Sequence, residues 1–512
     1  MQTPAADISP RTRFLVVGAA LLALFLGALD ALVVGAAMPT IVADLGGMHL
    51  YSWVFSSYLL TRAISLPIFG KLCDLFSSKQ LYIVVICVFL ASSALAGAAT
   101  TMTQLIAYRA LQGVGAGGSF ALAYIVVSDL SAPEKRGKMM GLISFVWGIA
   151  SVLGPALGGF IVNYFSWRWI FYLNVPLSFV ALLCILLYLQ DIREKKKEAS
   201  IDFLGALTLS VTILTLLTAF LLAGRTYPWL SPQIIGLFLT TIGTGIGFCF
   251  AEKRAREPIL APGFFRVRGF STGNGAAFSS SFAIFAASAF VPLFIQGALG
   301  KSPAQLGMAM VPLSLAWSAG ALVCGQLVNR LGEKPLSILG SLLLVAGTGV
   351  TLTFTTSTSL FLCSAALAAT GLGMGFVSVG TLLIVQNSLD ASDLGVATSA
   401  HQFARTLGGT IGIGVSGSLV TSHLSTVLET LTHSTQGDEL PASLLSHLTG
   451  DIQELFQPEI QAKLSAGAQK LMQEAVRQGV ETVFWATLAG SLVCLLLCWW
   501  LPEAGKKGSP KV

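Results

Sequence analysis

Gly70 to Lys79 reads GKLCDLFSSK, and Gly325 to Lys334 reads GQLVNRLGEK. Gly, Leu and the closing Lys coincide, Asp74 stands opposite Asn329, and each stretch lies where one long apolar run ends and the next begins. We read them as one loop written twice. Apolar runs able to cross a hydrocarbon core of roughly 30 Å start near Phe14, Ser52, Leu81, Thr103, Met139, Trp169, Phe203, Ser231, Thr272, Gly307, Leu336, Leu360, Gly395 and Val480, about fourteen in all. The two stretches follow the second and the tenth run, a displacement of eight: six for a bundle and two inserted. A six-helix unit duplicated in parallel is a transporter architecture, with its substrate site between the halves near the bilayer midplane. The expected fold is therefore an all-α polytopic membrane protein of two six-helix bundles plus two inserted helices. Residues 1–189 form the first bundle, 190–268 the linkers with the extra pair, and 269–512 the second bundle with a long extracytoplasmic loop at 423–479.

Composition agrees with a membrane interior. Of 512 residues, 54% are hydrophobic and 11% charged, and mean hydropathy is +0.78, whereas soluble domains carry about 25% charged residues. The net charge of +6 reflects basic loops that hold orientation, so no nucleic-acid partner is implied. Eight Cys lie mostly inside apolar runs without metal-ligand spacing, which predicts neither a metal site nor a disulfide framework. No GxxxxGK[ST] stretch occurs, so ATP is not expected to drive the protein, and no cofactor is implied. Nor is there a clustered nucleophile and base that would mark an enzyme.

Lys and Arg fall on alternate loops. Arg11, Arg13, Lys71, Lys79, Lys135, Arg136, Lys138, Arg193, Lys195, Lys253, Arg254, Arg330, Lys334 and Lys506 share one side, and the opposite short loops hold only Arg168, Arg225 and Lys301. Both termini are then cytoplasmic. In the outer loop, Asp451 to Gln478 has apolar residues at helical spacing despite Pro458; an amphipathic surface helix and a solvated loop both fit. Trp167, Arg168 and Trp169 read as outer-interface anchors.

Charges within the spans carry more information, because each costs several kcal/mol unless paired or wetted. Asp30, Arg62, Arg109 and Arg405 are the four candidates. At 1.5 Å per residue, Asp30, Arg62 and Arg109 lie at comparable depth, so Asp30 is the candidate proton carrier: burial raises its pKa, and an approaching Arg109 or Arg62 lowers it. A permanent Asp30–Arg109 ion pair is the alternative. His401, near a helix start, reads as a polar packing residue or a proton relay. Tyr58, Tyr124, Trp147, Asn274, Gln296, Trp317 and Gln386 offer a mixed aromatic and polar lining for a substrate cavity.

Six stretches in order then carry a resemblance: LDALVVGAAMPTI (Leu29 to Ile41), GKLCDLFSSKQ, LIAYRALQGVGAGG (Leu105 to Gly118), GIASVLGPALGG (Gly148 to Gly159), WRWIFYLNVP (Trp167 to Pro176) and RTLGGTIG (Arg405 to Gly412). Together they resemble the major facilitator superfamily, and within it the fourteen-span drug:proton antiporters of the EmrB/QacA type. The resemblance implies the major facilitator fold and a cytoplasmic gate formed by Gly70, Asp74, Lys79, Asp129 and Arg136. It also implies an antiporter segment in Gly148, Gly154, Pro155, Gly158 and Gly159, whose small residues let helices approach closely. Two departures stand out. Leu75 and Ser77 replace the family's usual Arg and Gly, which leaves either Lys71 or Lys79 to strengthen the gate or a less stable inward-closed state, and Arg62 occupies a part of helix two that is more often uncharged or acidic in the family.

The expected function is proton-coupled export of amphipathic small molecules by alternating access, as in multidrug efflux and drug resistance. The partners are protons, the lipid bilayer and the cargo, and the protein is expected as a monomer in a bacterial cytoplasmic membrane. Counting Asp30 against Arg62, Arg109 and Arg405 leaves the interior net positive, which favours neutral or anionic cargo over cations. Export of one endogenous metabolite or lipid is the alternative function.

Overall fold

The computed structural model describes residues 9–47, 50–191, 200–224, 226–434 and 466–503. These residues are almost all helical: α1 Pro10–Leu45, α2 Tyr51–Leu75, α3 Ser78–Gly97, α4 Met102–Asp129, α5 Pro133–Tyr164, the short α6 Trp169–Tyr172, α7 Asn174–Tyr188, α8 Phe203–Leu222, α9 Pro232–Arg254, α10 Arg268–Leu293, α11 Pro303–Leu331, α12 Glu333–Thr351, α13 Leu360–Ser388, α14 Leu394–Ser434 and α15 Ala466–Trp499. In an apolar medium the backbone must satisfy itself, which leaves helices as the spanning element. Side chains serve the ends: Ser9, Ser77, Thr101, Asp202, Ser231, Ser302 and Ser359 each accept a first-turn amide.

Among the described residues, twelve helices are long and apolar enough to cross a membrane, not fourteen. The two long helices outside that set are α2 and α14. The reason is physical: they carry Arg62, Lys71 and Asp74 on one, and His401, Gln402 and Arg405 on the other, and they pack against each other inside the molecule. Helices that face a partner and a polar interior do not need the apolarity that lipid demands.

α1–α7 pack on one another, as do α10–α15, and the halves meet along α2 with α14 and α5 with α11. At the end bearing Asp74, one continuous apolar core runs from Val16 and Val85 through Met140 and Ile143 to Ala321, Cys324 and Leu383, and so joins the halves. At the opposite end the cores are separate, one around Met38, Trp167 and Phe171 and the other around Phe294, Phe354 and Phe484. The molecule is thus closed at the Asp74 end. The inserted α8 and α9 pack on each other, and α8 leans on both α2 and α14.

Three expectations need correction. The 423–479 stretch is not all loop: residues 423–434 extend α14 and 466–479 begin α15, so the helical reading of Asp451 to Gln478 holds over its described part, 466–478, whereas residues 435–465 lie outside the described set. Trp167 is not an interface anchor; it is 2% exposed and its Nε1 donates to Asp44 (2.9 Å), while Trp169 is exposed as expected. Lys71 does not reinforce the crossing of α2 with α14, since it pairs with Glu257 after α9 (3.2 Å).

Arg168 Nη1 also donates to Asp44 (2.7 Å), in the last turn of α1 and past its apolar run. That bond, with the one from Trp167, holds the Asp44 carboxyl below its ordinary 3.8. A depressed carboxyl adds stability above its unfolded value and loses it as pH falls through the folded one. Asp44→Asn should therefore lower the melting temperature slightly at pH 7, and scans in acid should show the gap to wild type closing below pH 3.8.

Candidate functional site

Two arginine-bearing sites lie in the interior among the described residues. The first is built around Asp30, which is fully buried. Arg109 Nη1 donates to its Oδ2, and Gln112 Nε2 (2.8 Å) and Asn174 Nδ2 (2.9 Å) donate to its Oδ1. Gln112 in turn accepts from Arg109 Nη1 (2.7 Å) and donates to Ser93 (2.7 Å). The Arg109 guanidinium lies 4.2 Å from the Tyr58 ring centroid, and the Tyr58 hydroxyl donates to the Gly27 carbonyl (2.7 Å). A buried ion pair needs such additional bonds to offset desolvation. Every member belongs to α1, α2, α3, α4 or α7, so the network lies within one half.

This geometry joins Asp30 to Arg109 as the sequence anticipates, but not to Arg62. Equal depth is insufficient: Arg62 emerges from another face of α2 and meets Phe120 and Trp147. The depth argument also missed Gln112, Ser93 and Asn174. Gln112 was detectable, because it stands three residues after Arg109 on the same helical face.

The second site lies between the halves. The Arg62 guanidinium is 4.6 Å from the Phe120 ring and 5.2 Å from that of Trp147, and Arg405 is 5.5 Å from Trp317. Arg405 Nη1 donates to Gln402 Oε1 (3.2 Å), and the Tyr124 hydroxyl lies beside both. Arg62, Trp147, Trp317 and Arg405 each keep partial exposure although helices surround them. Of the expected cavity residues, the structure brings together Tyr124, Trp147 and Trp317. It does not bring the others: Tyr58 serves Arg109, Asn274 Nδ2 donates to the Phe270 carbonyl of its own helix (2.8 Å), Gln296 lies in the π-helical turn after α10, and Gln386 Nε2 donates to Thr398 (2.9 Å). His401 is buried with Nε2 against Thr381 (2.9 Å), linking α13 to α14.

The expected gate residues cluster at the closed end. Asp74 accepts from the Gly395 amide (2.8 Å) and the Val396 amide (2.9 Å), placing a carboxylate on the first turn of α14, where the helix dipole favours it. Its repeat counterpart ties the other crossing by a bond of the opposite sense: Asn329 Nδ2 donates to the Glu134 carbonyl in the first turn of α5. Gly70 allows α2 to touch α14, since a Cβ there would lie 2.8 Å from the Gly395 carbonyl oxygen, and Gly325 does the same against Gly137 and Lys138 of α5. Asp129 ends α4, and Arg136 lies in the first turn of α5. Lys79 contributes its backbone amide, which donates to Asp191 (3.1 Å). Ser77 has a structural use the departure concealed: it caps α3 and donates to Asp191 (2.5 Å).

In the Gly-rich stretch of α5, Gly148 abuts Ser318 of α11, a Cβ added at Gly154 would lie 2.8 Å from that of Leu32 of α1, and Gly159 faces open space. Gly158 is buried, and the Pro155 side chain lies outside the described set.

Comparison with known proteins agrees with this arrangement. The family model described as Major Facilitator Superfamily matches residues 20–413. The chain is 36% identical over 490 residues to the Multidrug transporter protein MdtP of Bacillus subtilis (strain 168), covering 93% of this chain and 90% of that protein. It is 33% identical over 473 residues to Multidrug resistance protein 3 of the same organism, covering 92% of each. Among solved structures, the human organic anion transporter MFSD10 (TETRAN) shares the fold with a TM-score of 0.63 at 15% identity, covering 96% of this chain and 100% of that one. With duplicated bundles, a closed end and polar sites in a membrane interior, the chain belongs to the Major Facilitator Superfamily of multi-pass membrane transporters.

Proposed function

We propose that the protein exports amphipathic small molecules in exchange for protons, by rocking the bundles of residues 1–189 and 269–512 about the site between them. The observation that carries this reading is the closed Asp74 end, with two pseudo-symmetric glycine crossings and an arginine pair packed on aromatic rings farther in. The relatives named multidrug transporters support efflux. In this reading all fourteen long helices cross the membrane, with α8 and α9 as the inserted pair of the EmrB/QacA-type antiporters. The Asp74 end and both termini face the cytoplasm of a bacterial cell, and the protein works as a monomer.

Asp30 carries the proton. Protonation weakens its hold on Arg109, whose Nε also donates to the Val54 carbonyl of α2 (3.4 Å). Because α2 forms one of the two crossings, the loading of Asp30 is felt at the gate. One proton moving through 100 mV supplies about 2.3 kcal/mol, enough for a concentration ratio of about fiftyfold.

The test is uptake of amphipathic dyes into proteoliposomes with an imposed pH gradient. Accumulation should require the gradient and collapse with nigericin. Equal uptake without a gradient would remove proton coupling.

A further inference from the structure

The internal repeat extends into the site between the halves. Arg62 stands eight residues before Gly70 and Trp317 eight before Gly325; Trp147 stands ten after Gly137 and Arg405 ten after Gly395. Packing confirms the register, since Gly117 of α4 lies on the Arg62 carbonyl and Gly375 of α13 lies on the Trp317 carbonyl. Each half thus presents one arginine against one tryptophan, with the two roles exchanged between repeat positions: Arg62 of α2 with Trp147 of α5, and Arg405 of α14 with Trp317 of α11.

Among the described ion pairs, none includes Arg62 or Arg405, and the two lie within Coulombic reach of each other. Three further polar atoms there are buried without a partner among the described residues: Arg405 Nε, Gln402 Nε2 and Trp147 Nε1. All three are donors. Unpaired buried donors are costly, and a set made only of donors beside two like charges is complemented by an acceptor-only, negatively charged group. The Asp30 site shows the contrast, because its carboxylate already accepts three donors.

We propose that Arg62 and Arg405 form a single binding site for an amphipathic organic anion, its acid group held between the guanidinium groups and its apolar body against Trp147 and Trp317. This deepens the export reading, on which it rests for transport though not for binding. The aromatic faces suit a flat or ring-bearing body. Because each half donates one arginine, the anion also offsets repulsion across the cleft, so its binding favours approach of the halves at this level.

Three pyrene probes of one body test the site on the whole protein in lipid nanodiscs: pyrenebutanoate, its neutral amide and the matching butylammonium, followed by tryptophan-to-pyrene energy transfer. The carboxylate should bind about tenfold tighter than the amide, and the ammonium most weakly. Arg62→Gln and Arg405→Gln should each weaken the carboxylate about tenfold and leave the amide within about twofold, while Arg62→Lys and Arg405→Lys, which keep the charge and guard against misfolding, should retain a preference for the carboxylate. Tighter binding of the ammonium, or carboxylate affinity unchanged in both Gln variants, would overturn the anion site. Gradient-driven flux separates the two readings. Carboxylate binding through the arginines without flux of any probe supports the site and overturns export; flux of the ammonium alone supports export and overturns the site.

Discussion

Asp30→Asn reduces gradient-driven dye accumulation in proteoliposomes to that of protein-free vesicles, and the protein remains helical and inserted. Asparagine keeps an oxygen for Gln112 and Asn174 but cannot exchange a proton, so downhill exchange of dye for dye persists while accumulation against a gradient is lost. The variant also leaves Arg109 buried without its counter-charge, a loss of about 3–5 kcal/mol in stability, and that effect must be separated from coupling. The double variant Asp30→Asn with Arg109→Gln does so. Replacing a whole buried ion pair by neutral groups is often nearly neutral for stability. If Asp30 and Arg109 only hold the first half together, the double variant recovers proton-coupled accumulation, and Asp30 is a structural partner. If Asp30 carries the proton, the double variant folds well and still accumulates nothing.

The second large effect is expected at Gly325. A Cβ there would lie 2.8 Å from the Gly137 carbonyl carbon and 3.1 Å from Lys138 Cα, and backbone on both sides leaves no side chain able to yield. Gly325→Val should hold α5 and α11 apart, prevent closure of the Asp74 end and abolish transport, while the cores at the opposite end, each confined to one bundle, stay packed. Ser144 is buried, and its carbonyl accepts from Ser318 across the same interface (3.5 Å). In a Ser144→Cys background, thiol alkylation from the Asp74 side should be slow in the parent and fast once Gly325 is replaced. Gly349→Ala is the control, since its added methyl meets nothing within 4 Å; transport and labelling should stay as in the parent. Unchanged labelling in the Gly325→Val protein would show that the halves close without this contact.

Both predictions turn on packing that the sequence displayed only as residue types. The run QGVGAGG in α4 stood in the sequence only as part of a family motif; Gly113 and Gly117 turn out to serve α2 and Gly115 to serve α3. Likewise Asp74 as a gate residue came from resemblance, whereas its two amide partners on α14, more than three hundred residues away, came from the structure.

The sequence by itself determined that the chain is a duplicated helical membrane protein, because hydropathy and segment length follow from local composition and a repeated loop needs no coordinates to be seen. It also located Asp30, Arg62 and Arg109 by depth and marked Arg405 as a charge within a span. Tertiary structure decided which of them meet. Depth is one coordinate, and the rotation of each helix and the identity of its neighbour are the others, set by packing between segments far apart in the chain. That is why Asp30 found Arg109, Gln112 and Asn174 within one half, why Arg62 and Arg405 come within Coulombic reach from opposite halves, and why α2 and α14, turned toward that polar interface, escaped the apolarity that marks twelve of their companions among the described residues.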